Sequence, residues 1–174
     1  MSPPISGTAH QAPPPDAHPD VPVWLLIGPA LTSALGAFLL TVTTGLEWAT
    51  IQRDMHLSSS TTLWVFVAYL LPAAVAAAIG ALAGRRSPTA VALPAITLLI
   101  LGSLLIALTP GSGLLMLGRA VTGFGAGLAW GVTAVLVART GARRVWGALV
   151  AGAAVLALVL GPVIAGHLAR AMSW

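Results

Sequence analysis

Long apolar blocks separated by short polar segments limit what this chain can fold into. The blocks cover residues 23–46, 63–82, 90–108, 114–138 and 145–168. A bilayer core about 30 Å thick needs roughly 20 helical residues to cross it, and each block is close to that length. Charged residues make up only 7% of the chain, which is too few to cover the surface of a soluble protein. The sequence therefore predicts an all-α membrane protein with about five transmembrane helices.

The segment before the first block, residues 1–22, differs sharply from it in composition. It contains seven prolines, which block helix formation, and too few apolar residues to build a core. It also lacks the basic start and the apolar run of a signal peptide. We therefore expect residues 1–22 to be a disordered tail, with a proline-motif ligand for a partner as the alternative. Residues 23–174 are expected to form the transmembrane domain.

The positions of the arginines predict how the helices are oriented in the membrane. The loops after the second and fourth blocks hold most of them: Arg85, Arg86, Arg139, Arg143 and Arg144. Because cytoplasmic loops are enriched in Lys and Arg, we expect the N-terminus and its tail in the cytoplasm and the C-terminus outside. This distribution favours membrane orientation over nucleic-acid binding as the reason for the +4 charge. The absence of Lys and the abundance of Ala, Gly, Val and Arg are typical of a GC-rich bacterial gene, so we expect the membrane to be the bacterial cytoplasmic membrane.

One arginine, Arg119, lies inside an apolar block, close to the start of the fourth. An ionised arginine inside a bilayer costs from ~2.5 to more than 10 kcal/mol, depending on its depth. Two interpretations stay open: a polar relay in a transport pathway, or a side chain that reaches the external headgroups. Glu47, at the edge of the first block, is a weaker candidate for proton coupling because a coupling acid should lie deeper in the membrane.

Small residues indicate where helices can approach closely. Glycines recur at every fourth position of the fourth block: Gly123, Gly127 and Gly131. This spacing is typical of tightly packed membrane helices. In the fifth block, Gly161 precedes Pro162, and this pair favours a bend or a close contact because proline removes one backbone hydrogen bond.

The residues predict neither an enzyme nor a metal site. The chain has no Cys, which excludes disulfides and thiolate chemistry. Its four His do not follow ligand spacings, and no nucleophile, base and acid share one membrane depth. His167, near the external end of the fifth block, is interpreted as an interfacial polar residue rather than a proton carrier. We therefore expect no enzymatic activity, no metal and no cofactor.

Five segments of the chain match the motifs of a known family in the same order. They are 51–58 (IQRDMHLS), 64–71 (WVFVAYLL), 80–86 (GALAGRR), 117–127 (LGRAVTGFGAG) and 161–166 (GPVIAG). Together they resemble the N-terminal half of a major facilitator superfamily transporter, most closely the fourteen-helix multidrug:proton antiporters. The resemblance implies a partial N-terminal bundle of that fold.

The resemblance also implies roles for individual residues. In the family's fourth-helix motif, the arginine at the position of Arg119 is implicated in proton coupling. A second motif, associated in the family with conformational change, comprises Gly80, Gly84, Arg85 and Arg86. A third, the antiporter motif of the fifth helix, comprises Gly161, Pro162 and Gly166.

The chain departs from the family's pattern at several points. The family has an Asp in the loop between helices two and three, and this chain has Gly84 at that position. The family also has an Asp in the first helix, at a position that falls near Leu40 in this chain. The fifth-helix motif ends with Ala165 and Gly166 where the family has two glycines. A full transporter binds substrate between two six-helix halves, whereas this sequence stops after the fifth block. We therefore expect a truncated copy that needs a homodimer or a second half-transporter chain.

Two functions are consistent with these observations. The first is small-molecule or drug efflux coupled to protons by a major facilitator transporter, or a truncated or inactive copy of one. The alternative is a small, non-transporting membrane protein that associates with a partner through its helices, which the missing acids, the short chain and the glycine face favour. The lipid bilayer is the expected surrounding in both cases.

Overall fold

The computed structural model describes residues 24–54, 59–108 and 112–171. Within them the chain forms only helices: α1 (Trp24–Asp54), α2 (Ser59–Gly84), α3 (Pro88–Ala107), α4 (Ser112–Arg139) and α5 (Arg143–Ala171). Each helix contains a segment long and apolar enough to span a bilayer. The prediction of an all-α membrane protein with five such helices is confirmed for this part of the chain. The tail expected at residues 1–22 lies outside the described residues.

The largest difference between the helices and the predicted apolar blocks lies just after the first block. The polar segment between the first two apolar blocks is largely helical, since α1 continues to Asp54 and α2 already begins at Ser59. The segment from Leu46 to Asp54 contains neither Gly nor Pro, so the helix can continue beyond the apolar block. At the other connection, α3 starts with Pro88 in its first turn, where the missing N–H is not needed.

Helix α4 lies at the centre of the bundle and packs against α1, α2 and α3. In its apolar segment 67% of the residues are buried, against 11% in α5. Gly123 and Gly131 of α4 lie against Tyr69 and Ala77 of α2, so these two helices run in the same direction. Helix α5 packs mainly on α1 and is the most peripheral of the five.

Both short turns lie at one end of the bundle. The Nη2 atom of Arg139, the last residue of α4, donates a hydrogen bond to the backbone oxygen of Arg85 in the α2–α3 turn (2.8 Å). The start of α1 lies at the same end, because Leu26 and Trp146 line one cavity between α1 and α5. We call this end the arginine end, after its residues Arg85, Arg86, Arg139, Arg143 and Arg144.

Candidate functional site

Arg119 lies in α4, about two turns after the helix begins. Its side chain is 1% exposed and is the largest of the fully buried side chains in the described part of the chain. It lines a cavity of about 160 Å³ together with residues of α1, α2, α3 and α4: Leu39, Tyr69, Ser103, Ile106, Ala107 and Thr122. The guanidinium therefore faces the interior of the bundle, and this burial does not fit a side chain that reaches the headgroups.

Three hydroxyl groups share this cavity with Arg119. Tyr69 donates a hydrogen bond to the backbone oxygen of Gly36 in α1 (2.9 Å). Ser103 and Thr122 donate to carbonyls of their own helices, each at 2.7 Å. Since each hydroxyl proton is used by a carbonyl, the hydroxyls offer oxygen lone pairs to the cavity, and the guanidinium offers donors. Water can serve both kinds of group, and the volume has room for several molecules.

The sequence analysis named Arg119 but not the hydroxyls that surround it. Two signals could have found them: Tyr69 is the only tyrosine of the chain and lies within an apolar block, and Thr122 follows Arg119 by three positions, which places both on one helix face. Ser103 carries no comparable signal. Glu47, the second coupling candidate, belongs to α1, but its side chain lies outside the described residues.

The three glycines of α4 at four-residue spacing face α2. A Cβ atom added at any of them would overlap the backbone of α2, and the nearest residues are, in order, Tyr69, Ala73 and Ala77. The two helices therefore approach at backbone distance along the whole stripe. This contact lies within the chain, so the stripe is already occupied by α2 and is not a free surface for another protein.

The proposed conformational motif joins α2 to α4 at the arginine end. An added Cβ at Gly80 would lie 2.5 Å from a backbone oxygen of α4, and Gly84, the last residue of α2, is buried against α4 as well. Arg85 and Arg86 are exposed in the turn that follows. The carbonyl of Arg85 accepts the hydrogen bond from Arg139, which links the turn to the end of α4.

The proposed antiporter motif of α5 lies apart from the Arg119 cavity. Gly161 is buried against Thr41 of α1, whereas Pro162 is exposed on the same helix. The backbone oxygen of Gly166 accepts a hydrogen bond from Nε of Arg170 (3.0 Å). The described residues therefore place this motif at the α1–α5 contact and not at the buried arginine.

A second polar cluster connects α1 with α4 in the middle of the bundle. The hydroxyls of Ser33 and Thr133 are 2.9 Å apart, and Nε1 of Trp130 donates to the backbone oxygen of Ser33 (3.1 Å). Polar links of this kind hold helices together in lipid, where burial of apolar surface gives no drive for association. The cluster fixes the position of α1 relative to α4.

Comparison with known proteins gives a consistent result. A family model for the Major Facilitator Superfamily matches residues 29–174. A transporter from Aspergillus aculeatus, described as an acurin A biosynthesis cluster MFS-type transporter, is 33% identical over 132 residues. That match covers 72% of this chain but 23% of the relative, so the chain spans about a quarter of the relative's length. No solved structure gives a significant match. The match over most of the chain shows that it belongs to the major facilitator superfamily.

Proposed function

We propose that this chain forms part of a transporter that exports a small organic molecule in exchange for protons. The observation that carries the proposal is the buried Arg119, which shares a cavity with residues of four helices. A buried ionisable residue inside a membrane bundle is costly and usually serves a substrate or ion pathway. Family membership supports transport, and the antiporter-like motifs of the sequence support exchange with protons.

The guanidinium of Arg119 acts in this proposal through its charge and not by releasing a proton. An arginine stays protonated in proteins, so the moving proton must be carried by an acid or by water. A fixed positive charge favours the ionised form of a nearby acid and orients water in the cavity. No Asp or Glu occurs among the side chains that the structure describes. The carrier in this proposal is therefore cavity water, Glu47 or an acid of a second helical bundle.

A second bundle is part of the proposal because major facilitator transporters bind substrate between two halves. Another copy of this chain or a separate half-transporter chain could supply it. The bacterial cytoplasmic membrane and a cytoplasmic N-terminus are also proposals, which the lysine-free composition and the arginine distribution support.

The alternative, a non-transporting protein that binds a partner through its helices, loses one of its three supports, the glycine face. The glycines that motivated it pack against α2 within the chain. Family membership also points to transport rather than to enzymatic activity. We therefore carry only the transport proposal forward.

The test is pH-driven flux of a lipophilic cationic dye in proteoliposomes that contain the full chain. We expect Arg119→Gln to abolish the flux and Arg119→Lys to retain part of it, because lysine keeps the charge. Arg144→Gln is the matched control, since it removes an exposed arginine from the first turn of α5. We expect this control to transport at the wild-type rate.

One result would overturn the proposal, and a second would restrict it. Flux that is unchanged in Arg119→Gln would remove the arginine from the mechanism. Wild-type chain that gives no flux at any protein density, with correct insertion shown by protease protection, would reject transport by copies of this chain alone. In that case the proposal would be restricted to a transporter completed by helices beyond residues 1–174.

A further inference from the structure

The side chains that the structure describes leave the positive charge of the arginine end without a carboxylate to offset it. All five of its arginines are exposed: Arg85, Arg86, Arg139, Arg143 and Arg144. The side chains that the structure describes include no Asp or Glu, and Glu47 and Asp54 belong to the far end of α1. The hydrogen bond from Arg139 to the carbonyl of Arg85 holds the two arginine-bearing turns next to each other. A counter-charge for this end must therefore come from outside the described bundle.

An apolar groove lies directly below this end, between α4 and α5. Its volume is about 320 Å³, and its walls include Trp130 and Val137 of α4 and Gly147, Ala151 and Ala154 of α5. The polar groups in its wall are paired, because the hydroxyls of Ser33 and Thr133 contact each other and Nε1 of Trp130 donates to the backbone oxygen of Ser33. The groove therefore offers apolar side chains, which are small on the α5 side, and no free charge.

The register of α5 joins the groove to the arginine end. Gly147, Ala151 and Ala154 follow Arg143 at four, eight and eleven positions, so all four residues share one helix face. The helical rise places Gly147 about 6 Å along the axis from Arg143. Helical side chains tilt towards the N-terminus, so the guanidinium of Arg143 extends from the top of the groove towards the headgroup layer.

We propose that this corner of the bundle binds an anionic phospholipid, with its phosphate at Arg143 and one acyl chain in the α4–α5 groove. Arginine is suited to this headgroup because its planar donors match phosphate oxygens. The N-terminal end of α5 adds a partial positive charge at the same point. Basic sites between transmembrane helices are known to bind acidic headgroups.

The groove distinguishes a lipid from a free anion. Inorganic phosphate would engage the arginines alone, whereas a phospholipid also fills an apolar volume that begins one turn below them. The bilayer supplies such molecules at high local concentration, with the headgroup and the chain already at the required depths. The combination of charge above and an apolar groove below therefore favours a phospholipid.

The test is native mass spectrometry of the full chain, titrated with phosphatidylglycerol or phosphatidylcholine in detergent. We expect wild-type chain to retain phosphatidylglycerol preferentially. Arg143→Gln should weaken that retention about fivefold, the equivalent of ~1 kcal/mol for one arginine near an anionic headgroup. Arg86→Gln is the charge-matched control at the same end, and we expect it to have a much smaller effect because Arg86 lies in the α2–α3 turn and not on the helix face that lines the α4–α5 groove.

A second pair of variants tests the groove without changing charge. Ala151→Leu fills the groove and should abolish the preference for phosphatidylglycerol. Ala148→Leu adds the same side chain at an exposed position of α5 that does not line the groove, and it should leave the preference intact. Both substitutions suit a lipid-facing helix, so the pair remains informative if an arginine variant fails to fold.

Several outcomes would overturn the proposal. Equal retention of the two lipids would remove the headgroup contact. Equal losses in Arg143→Gln and Arg86→Gln would indicate attraction by the general charge of this end alone. An equal preference for phosphatidylglycerol in the two leucine variants would place the acyl chain outside the groove. Displacement of the lipid by inorganic phosphate would lead to the same conclusion.

Discussion

A methyl group at Gly127 tests whether backbone contact holds α2 and α4 together. A Cβ atom there would lie 2.8 Å from the carbonyl carbon of Ala73 and 2.9 Å from its Cα, and still closer to its oxygen. Carbon atoms pack best at about 3.5–4.0 Å, so the helices must separate locally by about 0.7 Å or more. The obstacle is backbone, which cannot rotate away as a flexible side chain could.

Two opposing contributions determine how much Gly127→Ala changes the free energy of unfolding. Overpacking of this kind costs about 1–3 kcal/mol, whereas replacing glycine by alanine within a helix gains up to ~1 kcal/mol. Gly152→Ala in α5 is the matched control, because its added Cβ would meet no atom within 4 Å. The difference between the two variants therefore isolates the overpacking cost. At about 2–4 °C per kcal/mol for a chain of this size, the melting temperatures should differ by about 2–12 °C.

The assay is thermal unfolding of both variants in one detergent, followed by circular dichroism. We expect Gly127→Ala to melt below Gly152→Ala by the margin given above. Equal melting temperatures would refute the close approach of α2 and α4. A higher melting temperature for Gly127→Ala would show that the contact has room for a methyl group, and the stripe would then need another explanation.

Two further substitutions test the links from α1 to its neighbours, both by thermal unfolding in detergent. Tyr69→Phe removes the donor to the carbonyl of Gly36 and should cost about 1 kcal/mol, since hydrogen bonds contribute about that much; an unchanged melting temperature would contradict this bond. Thr133→Val keeps the shape but removes the hydroxyl contact with Ser33, and a loss near 0.6 kcal/mol is expected from measured interhelical hydrogen bonds. Combining it with Ser33→Ala should then add little, whereas fully additive losses would show that the two hydroxyls do not interact.

The sequence predicts the number of helices better than their ends or their neighbours. The apolar blocks indicate the spans because bilayer thickness sets their length. Hydropathy does not report where a helix stops, so the continuation of α1 to Asp54 was missed. The glycines of α4 predict a close contact, but four-residue spacing does not say that Tyr69 and its neighbours on α2 provide it. The sequence predicted that Arg119 lies within a membrane-spanning segment, but it did not predict that residues of four helices line the cavity around its side chain. Its role in proton coupling stays a prediction.

The burial of the five helices follows an order that composition could have predicted. The least apolar of the five segments is that of α4, which is also the most buried, and the two most apolar, in α3 and α5, are only 22% and 11% buried. This order is the reverse of that expected for a soluble protein. Lipid tails are as apolar as leucine, so apolar surface gains nothing by turning inward, whereas glycines gain close packing and a charge such as Arg119 avoids lipid. In this chain, therefore, the helix that carries the glycines and the buried charge occupies the centre, and the most apolar helices take the positions with the most lipid contact.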